Sequence, residues 1–423
     1  MIRHLLTIIR TQRAMNGWIY AELVVVICAV WWMTDKIWVD LRTFYSPMGL
    51  DIRNTWVFNM DKLHPQADGY VPGELALSTE TEDLFRLKAQ IEQHHAIEAV
   101  SVSIYACPYT NSEVITPATP VDGDTIVSKG KSFRTYYVSP EYFDVFRIRD
   151  SNSEHLTFNP SNVSKPITAV ITADVSEMFF HTTEAAGRRL NFNGNEDLDI
   201  GAVCNPVRDN EYKKNEPALF PVIQSAEFWN MFINQVGIGG VTVCVRTKQA
   251  MSQDEMNIFL REMGDRLTVN NLYVYSVTPF SSLRADKLKK PGDDMRKQLS
   301  LTVFLLINVF FGVIGTFWIR TQYRRGEIGI RMALGANRST LKKYLHGEGL
   351  CLLFLTLPFT LLFALNMIYM DIPDSYRLPY TVSRFAITFG GTYLLMTLMI
   401  MSGIGFPTRK ISRIAPAEAL QYE

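Results

Sequence analysis

Cysteine is scarce, with five in 423 residues, and two of them, Cys28 and Cys351, fall inside apolar runs. That distribution excludes a disulfide-stapled scaffold. Cys107, Cys204 and Cys244 could form one bridge at most, or stay as three buried thiols. Glycine (25) and proline (19) are too few for a collagen-like or low-complexity chain, and 47% apolar residues are too many for a disordered one. Net charge is also missing, because 42 basic residues balance 42 acidic ones. No basic surface suited to nucleic acid follows from that balance. A phosphate-binding loop is absent too: the segment Gly123 to Ser132 places six residues between its glycines, where such a loop needs four. His64, His94, His95, His155 and His181 lack metal-ligand spacing, and no Ser-His-Asp or paired-carboxylate pattern can be traced. The chain is therefore expected to hold no catalytic site, no cofactor and no metal.

Long apolar runs, by contrast, are abundant. Three of them, 297–319, 349–370 and 385–406, are long enough to cross a bilayer, which takes about 20 apolar residues per helix. A fourth, 18–39, is interrupted by Glu22 near its start and by Asp35 and Lys36 near its end, charges that can reach the headgroups. The fold expected is an α-helical membrane protein with four transmembrane helices, one plus three, and a large α+β extracytoplasmic domain between the first and second. Lys and Arg set the orientation. Residues 1–17, 320–348 and 407–423 together hold 13 basic and 4 acidic residues, whereas 35–298 hold 27 basic and 35 acidic. The zero net charge is thus a cancellation between compartments, with both termini and the 320–348 loop cytoplasmic and the large region outside. The short 371–384 loop is balanced and external. Before the first span, Ile2, Leu5, Leu6 and Ile9 recur at helical spacing among arginines, the pattern of an amphipathic helix lying on lipid headgroups in 1–17.

The loop 320–348 is the most informative stretch. Ile328 and Met332, and likewise Ile330 and Leu334, stand four apart among charges. Gly335 is placed to stop a helix, and Asn337 or Ser339 to cap the next. A merely solvated loop would not need so many apolar residues, so a protein partner is expected to hold it. The run Arg324-Arg-Gly-Glu-Ile-Gly-Ile-Arg-Met-Ala-Leu-Gly-Ala336 resembles the signature loop of FtsX/MacB-type ABC transporter permeases. Ala415 to Glu423 is similar to the usual ending of that family, and Tyr136 to Phe146 to a segment of its periplasmic core domain.

Residues 40–296 must fold with a core of their own. Strand, helix and strand patterns succeed one another at Asp51–Met60, Thr79–Gln93 and Ala99–Tyr105, and again at Val241–Val245, Gln253–Leu267 and Leu272–Val277. One α+β subdomain built from both ends (40–109 and 236–296), with 110–235 inserted, is expected. The resemblance implies the same division, a porter-like subdomain carrying a distal one. Within the insertion, strands are expected at Ser132–Val138, Ile167–Ile171 and Ile200–Cys204 and a helix at Asp174–Phe180.

The resemblance further implies an inner-membrane permease subunit, a homodimer or a heterodimer with a related permease, that is not itself an enzyme. ATP and Mg would sit on a separate ABC ATPase subunit, since only 17 residues precede the first span. The mechanism implied is mechanotransmission: ATP-driven motion is passed to the periplasmic domain for efflux or extraction of a peptide, drug or lipoprotein. A periplasmic adaptor and an outer-membrane channel are possible further partners. The alternative is an FtsX-like regulator that activates a cell-wall hydrolase without transport. The residues expected to grip the ATPase are Arg324, Arg325, Glu327, Ile328, Ile330, Arg331 and Leu334. The substrate is not legible: Phe44, Tyr45, Trp56, Tyr105, Tyr136 and Tyr137 could line an apolar binding face or simply be core.

Overall fold

The computed structural model describes residues 13–72, 75, 77–110, 113–123, 131–152, 154, 156, 167–194, 196–323, 326, 330, 334 and 337–411. Of the amphipathic helix expected over 1–17, residues 1–12 lie outside the described residues, as do residues 412–423 of the tail expected from 407; 13–17 belong to the first long helix and 407–411 to the last. Two compact units divide the chain, one of residues 46–291 and one of 1–45 with 292–423. The chain opens with helix α1 (Arg13–Phe44) and then enters the first of these units.

Strand β1 (Thr55–Lys62) leads to helix α2 (Glu80–Glu92) and strand β2 (Ile97–Ile104). Thr79 and Glu82 close a capping box at the start of α2, satisfying backbone N–H groups that the helix itself leaves open. Leu84, Leu87 and Ile91, three and four apart, are fully buried. An insertion follows: β3 (Val114–Pro120), β4 (Ser132–Thr135), β5 (Tyr137–Val138), the one-turn α3 (Tyr142–Val145), β6 (Ile167–Thr172) and α4 (Ala173–Phe180). It continues with β7 (Arg189–Phe192), β8 (Glu196–Cys204), β9 (Ala218–Ile223) and α5 (Ala226–Val236). Then β10 (Val241–Thr247), α6 (Gln253–Met263), the two-residue β11 (Thr268–Val269) and β12 (Leu272–Pro279) complete the unit. Helix α6 starts on a second capping box, Ser252 with Glu255, and buries Met256, Phe259 and Met263 at the same spacing as α2.

Strand order resolves this unit into two parts. β12-β1-β10-β2 form an antiparallel sheet, the order of a split β-α-β subdomain assembled from both ends of the segment. In the insertion, β9-β4-β3-β7-β8-β6 follow one another, and β6 pairs back onto β9, closing a six-stranded barrel. Closure leaves no free edge among those six strands. β5 links the two parts, pairing with β2 on one side and β9 on the other.

The split sheet is buried on both faces. Strand alternation sends Val100, Val102, Val243 and Val245 to the side of α2 and α6. Val57 and Cys244 go to the opposite side, where Tyr142, Phe143, Phe146 and Phe220 form a second core. Gly49 takes φ +77°, and a Cβ there would lie 2.1 Å from the Pro206 carbonyl oxygen, so only glycine fits. All five cysteines are free thiols, and Cys107, Cys204 and Cys244 share that second core.

Helix α7 (Phe280–Tyr323) follows β12 without a break and runs for 44 residues. Helices α8 (Arg338–Leu355), α9 (Leu357–Tyr369) and α10 (Val382–Ile411) complete the chain. The expected third span is two helices, broken at Thr356 just before Pro358, which suits the first turn of α9. Among the described residues, three helical stretches hold an apolar window long enough to cross a membrane: Phe280–Thr316, Lys342–Tyr369 and Val382–Gly405. Helix α1, which carries Glu22, Asp35, Lys36 and Asp40, is not among them. Yet it packs with the others: Leu23 and Ile27 share a core with Leu352, Leu353, Met396 and Ile400.

Candidate coupling and anchoring sites

Of the seven residues expected to grip an ATPase, Ile330 and Leu334 are described, and Arg324, Arg325, Glu327, Ile328 and Arg331 lie outside the described residues. Both described side chains are exposed, Leu334 to 83%, and the Leu334 N–H donates to the Ile330 carbonyl at 3.0 Å, one helical turn. That turn presents two apolar side chains to the surroundings. The next helix begins where the sequence suggested, with Asn337 as cap: its Oδ1 accepts from the Thr340 N–H and hydroxyl, both at 2.8 Å. Helix α8 is then held from within. Tyr344 and Leu345 are buried, and His346 bonds the Met401 carbonyl of α10 at 3.2 Å through Nε2.

Deeper in the helical unit, polar groups pair across helices. Tyr393 on α10 meets the Thr356 hydroxyl at 3.2 Å and the Thr360 hydroxyl at 2.5 Å, right where α8 gives way to α9. The Tyr20 hydroxyl donates to the Leu355 carbonyl at 3.0 Å, drawing α1 to the same break. Glu22 faces Gly312 of α7, where a Cβ would stand 3.1 Å from its Oε1. At the other end of α1, Asp35 does not reach out to headgroups. It accepts two hydrogen bonds from Arg384, and both side chains are almost wholly buried. Arg384 also donates to the carbonyls of Asp374 and Leu378, and lies 4.5 Å from the centre of the Tyr380 ring. Arg377 adds a second link, to Asp40 at 2.6 Å and to Asp374 at 2.5 Å.

In the other unit, the start of α7 is fastened by three contacts. Phe280 is fully buried against Phe146, their ring centres 5.3 Å apart. Arg284 Nε bonds Glu211 Oε1 at 2.5 Å, and Lys287 Nζ donates to the Thr110 carbonyl at 2.7 Å. Tyr109 donates to the same Glu211 oxygen at 3.3 Å. Burial, and then the Glu211 charge, push the Tyr109 phenol far above its ordinary value, so it stays a donor. The Glu211 loop is itself pinned by Arg208, a buried side chain that donates to the carbonyls of Ser46, Pro47, Glu211 and Lys213. Arg246 does the same beside it, donating to Val145, Arg53 and Asp51 carbonyls. The segment Tyr136 to Phe146 supplies much of the packing: Tyr136 stacks on Phe220 at 5.1 Å, and the Tyr142 hydroxyl donates to the Ala106 carbonyl at 2.6 Å. Trp56 is core, while Tyr105 and Tyr137 are half-buried beside a groove. Among the described residues, no group of three His, Cys, Asp or Glu side chains could hold a metal ion.

Comparison with known proteins adds the following. Residues 299–416 match the FtsX-like permease C-terminal family. The macrolide export ATP-binding/permease protein MacB of Shewanella sp. (strain W3-18-1) is 23% identical over 326 residues, covering 75% of this chain and 47% of that relative. The chain therefore spans about half the length of the curated relative it matches. Among solved structures, the periplasmic region of MacB from Actinobacillus actinomycetemcomitans aligns at 12% identity with a TM-score of 0.33, over 58% of this chain and 97% of that one. A permease-protein domain from Porphyromonas gingivalis aligns at 19% identity with a TM-score of 0.33, over 55% and 92%.

Proposed function

We propose that this chain, an ABC transporter permease of the MacB/FtsX type, passes the motion of a partner ATPase to an external domain by mechanotransmission, for efflux or extraction of a substrate. The observation that carries the reading is α7. One helix of 44 residues holds an apolar stretch of membrane-spanning length, and its first two turns are fastened by Phe280, Arg284 and Lys287. Pro291 lies between the fastened turns and the apolar stretch and removes one backbone hydrogen bond there, yet the helix continues through it. In this reading the continuous helix hands on displacement applied at its far end. Just past that end lie the exposed Ile330 and Leu334, which in this reading are the apolar anchors for the ATPase, with Arg324, Arg325, Glu327, Ile328 and Arg331 completing the grip.

Helix α1 is proposed as a fourth span, supported by the core it shares with α8 and α10 and by its buried pair with Arg384. The charge asymmetry of the sequence supports a topology with both termini and the 320–348 loop in the cytoplasm. A dimer of permeases, a periplasmic adaptor and an outer-membrane channel complete the proposed assembly. ATP and Mg would reside on the partner ATPase. The test is ATP hydrolysis by the co-purified ATPase, with and without this permease in lipid nanodiscs. Stimulation by the permease is expected, and an ATPase that neither co-purifies nor responds would overturn the reading.

A further inference from the structure

Helix α5 (Ala226–Val236) carries two apolar faces where one would suffice. Trp229 and Ile233 point into the core, each almost wholly buried, and the Trp229 indole N–H donates to the Ile223 carbonyl at 3.2 Å. A different set, Phe228, Met231 and Phe232, lines an open groove, and Met231 is 52% exposed. The groove encloses about 370 Å³, at the small end of ligand sites. It lies where the split sheet meets the barrel, with Tyr105 just past β2, Tyr137 on β5 and Phe192 at the end of β7 on its walls.

Three further features distinguish this groove from an ordinary surface crease. Its aromatic rings are set against one another: Tyr137 lies 4.6 Å from Phe232 and 6.3 Å from Phe192, centre to centre. Tyr105 holds φ +55°, an uncommon conformation for a bulky side chain and one found where surrounding structure enforces it. Finally, one charged side chain lines the groove, Glu196 at the start of β8, and it has no ion-pair partner among the described residues. The remaining polar lining, Asn193 and Gln235, is neutral.

We propose that this groove binds a small organic cation with an aromatic or polycyclic apolar body, the rings taking the apolar body and the Glu196 carboxylate the positive charge. The chemistry is that of an aromatic surface facing a cation beside a single counter-charge. An anion would be repelled by Glu196 and would meet the negative faces of the rings, and a neutral hydrocarbon would gain nothing from the solvent-exposed carboxylate. The inference rests on the permease reading to the extent that such a ligand would be substrate or regulator of the external domain. Its test needs no ATPase, so the two readings fail separately.

The experiment is equilibrium dialysis of the full chain in nanodiscs against tetraphenylphosphonium and tetraphenylborate, which share size and phenyl groups but differ in charge. Empty nanodiscs supply the lipid partition to be subtracted. Saturable binding of the phosphonium is expected, about ten-fold or more tighter than that of the borate. Glu196→Gln should lose about ten-fold in phosphonium affinity, Glu196→Lys should reverse the preference between the two ions, and Phe232→Ala should weaken both. Unchanged thermal midpoints in the two Glu196 variants establish that folding is intact. No saturable component, equal affinity for the two ions, or undiminished phosphonium binding by Glu196→Gln would each overturn the proposal.

Discussion

The carboxylate of Asp35 and the guanidinium of Arg384, 349 positions apart in the chain, meet in two hydrogen bonds of 2.9 and 2.6 Å. Both groups are cut off from solvent, so neither can exchange its partner for water. This bond joins α1 to the first turn of α10. Removing one member strands a buried charge, which costs about 3–5 kcal/mol, whereas replacing both with apolar residues of similar volume is often close to neutral. Asp35→Ala is therefore expected to lower the thermal midpoint of the detergent-solubilised protein sharply. Arg384→Met should do so at least as strongly, because it also strips donors from the Asp374 and Leu378 carbonyls. The double variant Asp35→Leu/Arg384→Met should recover part of the loss. Simple additivity of the two single effects would show that the pair is not coupled.

The fastening of α7 gives a second expectation. Glu211 accepts from both Arg284 and Tyr109, so Glu211→Ala removes two hydrogen bonds at once. Arg284 is 41% exposed at its side chain and can turn to water, so the stability cost should be modest, about 1–2 kcal/mol. The larger effect should be local. Amide hydrogen exchange over 281–288 is expected to speed up in Glu211→Ala, with exchange in α2 and α6 unchanged. Stimulated ATP hydrolysis should persist while any export activity falls, because the ATPase would still be gripped but the motion less faithfully passed on. Unaltered exchange over 281–288 would show that Phe280 and Lys287 alone hold the helix.

How much of this was written in the sequence varies with the kind of contact. Local periodicity announced the elements of the split sheet: Leu84, Leu87 and Ile91 for α2, and Val100, Val102 and Ile104 for β2, each within two residues of the observed bounds. Asn337 was legible as a cap because capping is a contact of three residues' reach. Long-range pairing was not legible. Arg208 and Arg246 look like surface residues in a sequence, and only the fold shows them buried among carbonyl oxygens. Strand β9 was missed because Pro221 interrupts it, and proline argues against a strand unless its missing N–H is tolerated. The first part of α7 was missed because residues 284–298 are polar, and a polar run after a strand has no buried stripe to reveal it. In the 320–348 loop, the residues and their spacing are legible in the sequence, and the structure adds the exposure of Ile330 and Leu334.

Acid should loosen the unit of residues 46–291 in a defined window. Burial raises the Asp51 carboxyl, but hydrogen bonds from the Arg53 side chain and backbone, and the charge of Arg246, outweigh it and hold the group below its ordinary value. Glu113 is likewise raised by burial and lowered further by Arg134 and Lys213. A carboxyl depressed in the folded state binds protons more readily when unfolded. Its stabilisation is present above the unfolded value, about 4, and is lost as pH falls through the lower folded one. The thermal midpoint of the full chain is expected to hold from neutral pH to about 5 and to fall below about 4. Asp51→Asn should start lower at neutral pH, and the gap to the parent should close as acid is added. A gap that stays constant down to the lowest pH would assign the loss to other groups.

The most direct test of coupling is at Ile330 and Leu334. Both side chains stand exposed, as Tyr323 does earlier in the loop, and the two lie one helical turn apart. A central hot-spot residue of an interface carries about 2 kcal/mol or more, so converting one of these anchors to Asp should weaken ATPase binding about 30-fold. The pair Ile330→Asp/Leu334→Asp should abolish both co-purification and stimulated ATP hydrolysis. Neither side chain contributes to the core of α1, α8 and α10, so membrane insertion and the thermal midpoint should be unchanged. That separation distinguishes a broken interface from a misfolded protein. Alanine at the same positions should fall between parent and Asp, because it removes contact area without burying a charge. If the double Asp variant still stimulates its ATPase normally, the grip lies elsewhere in the loop and the apolar turn is not the anchor.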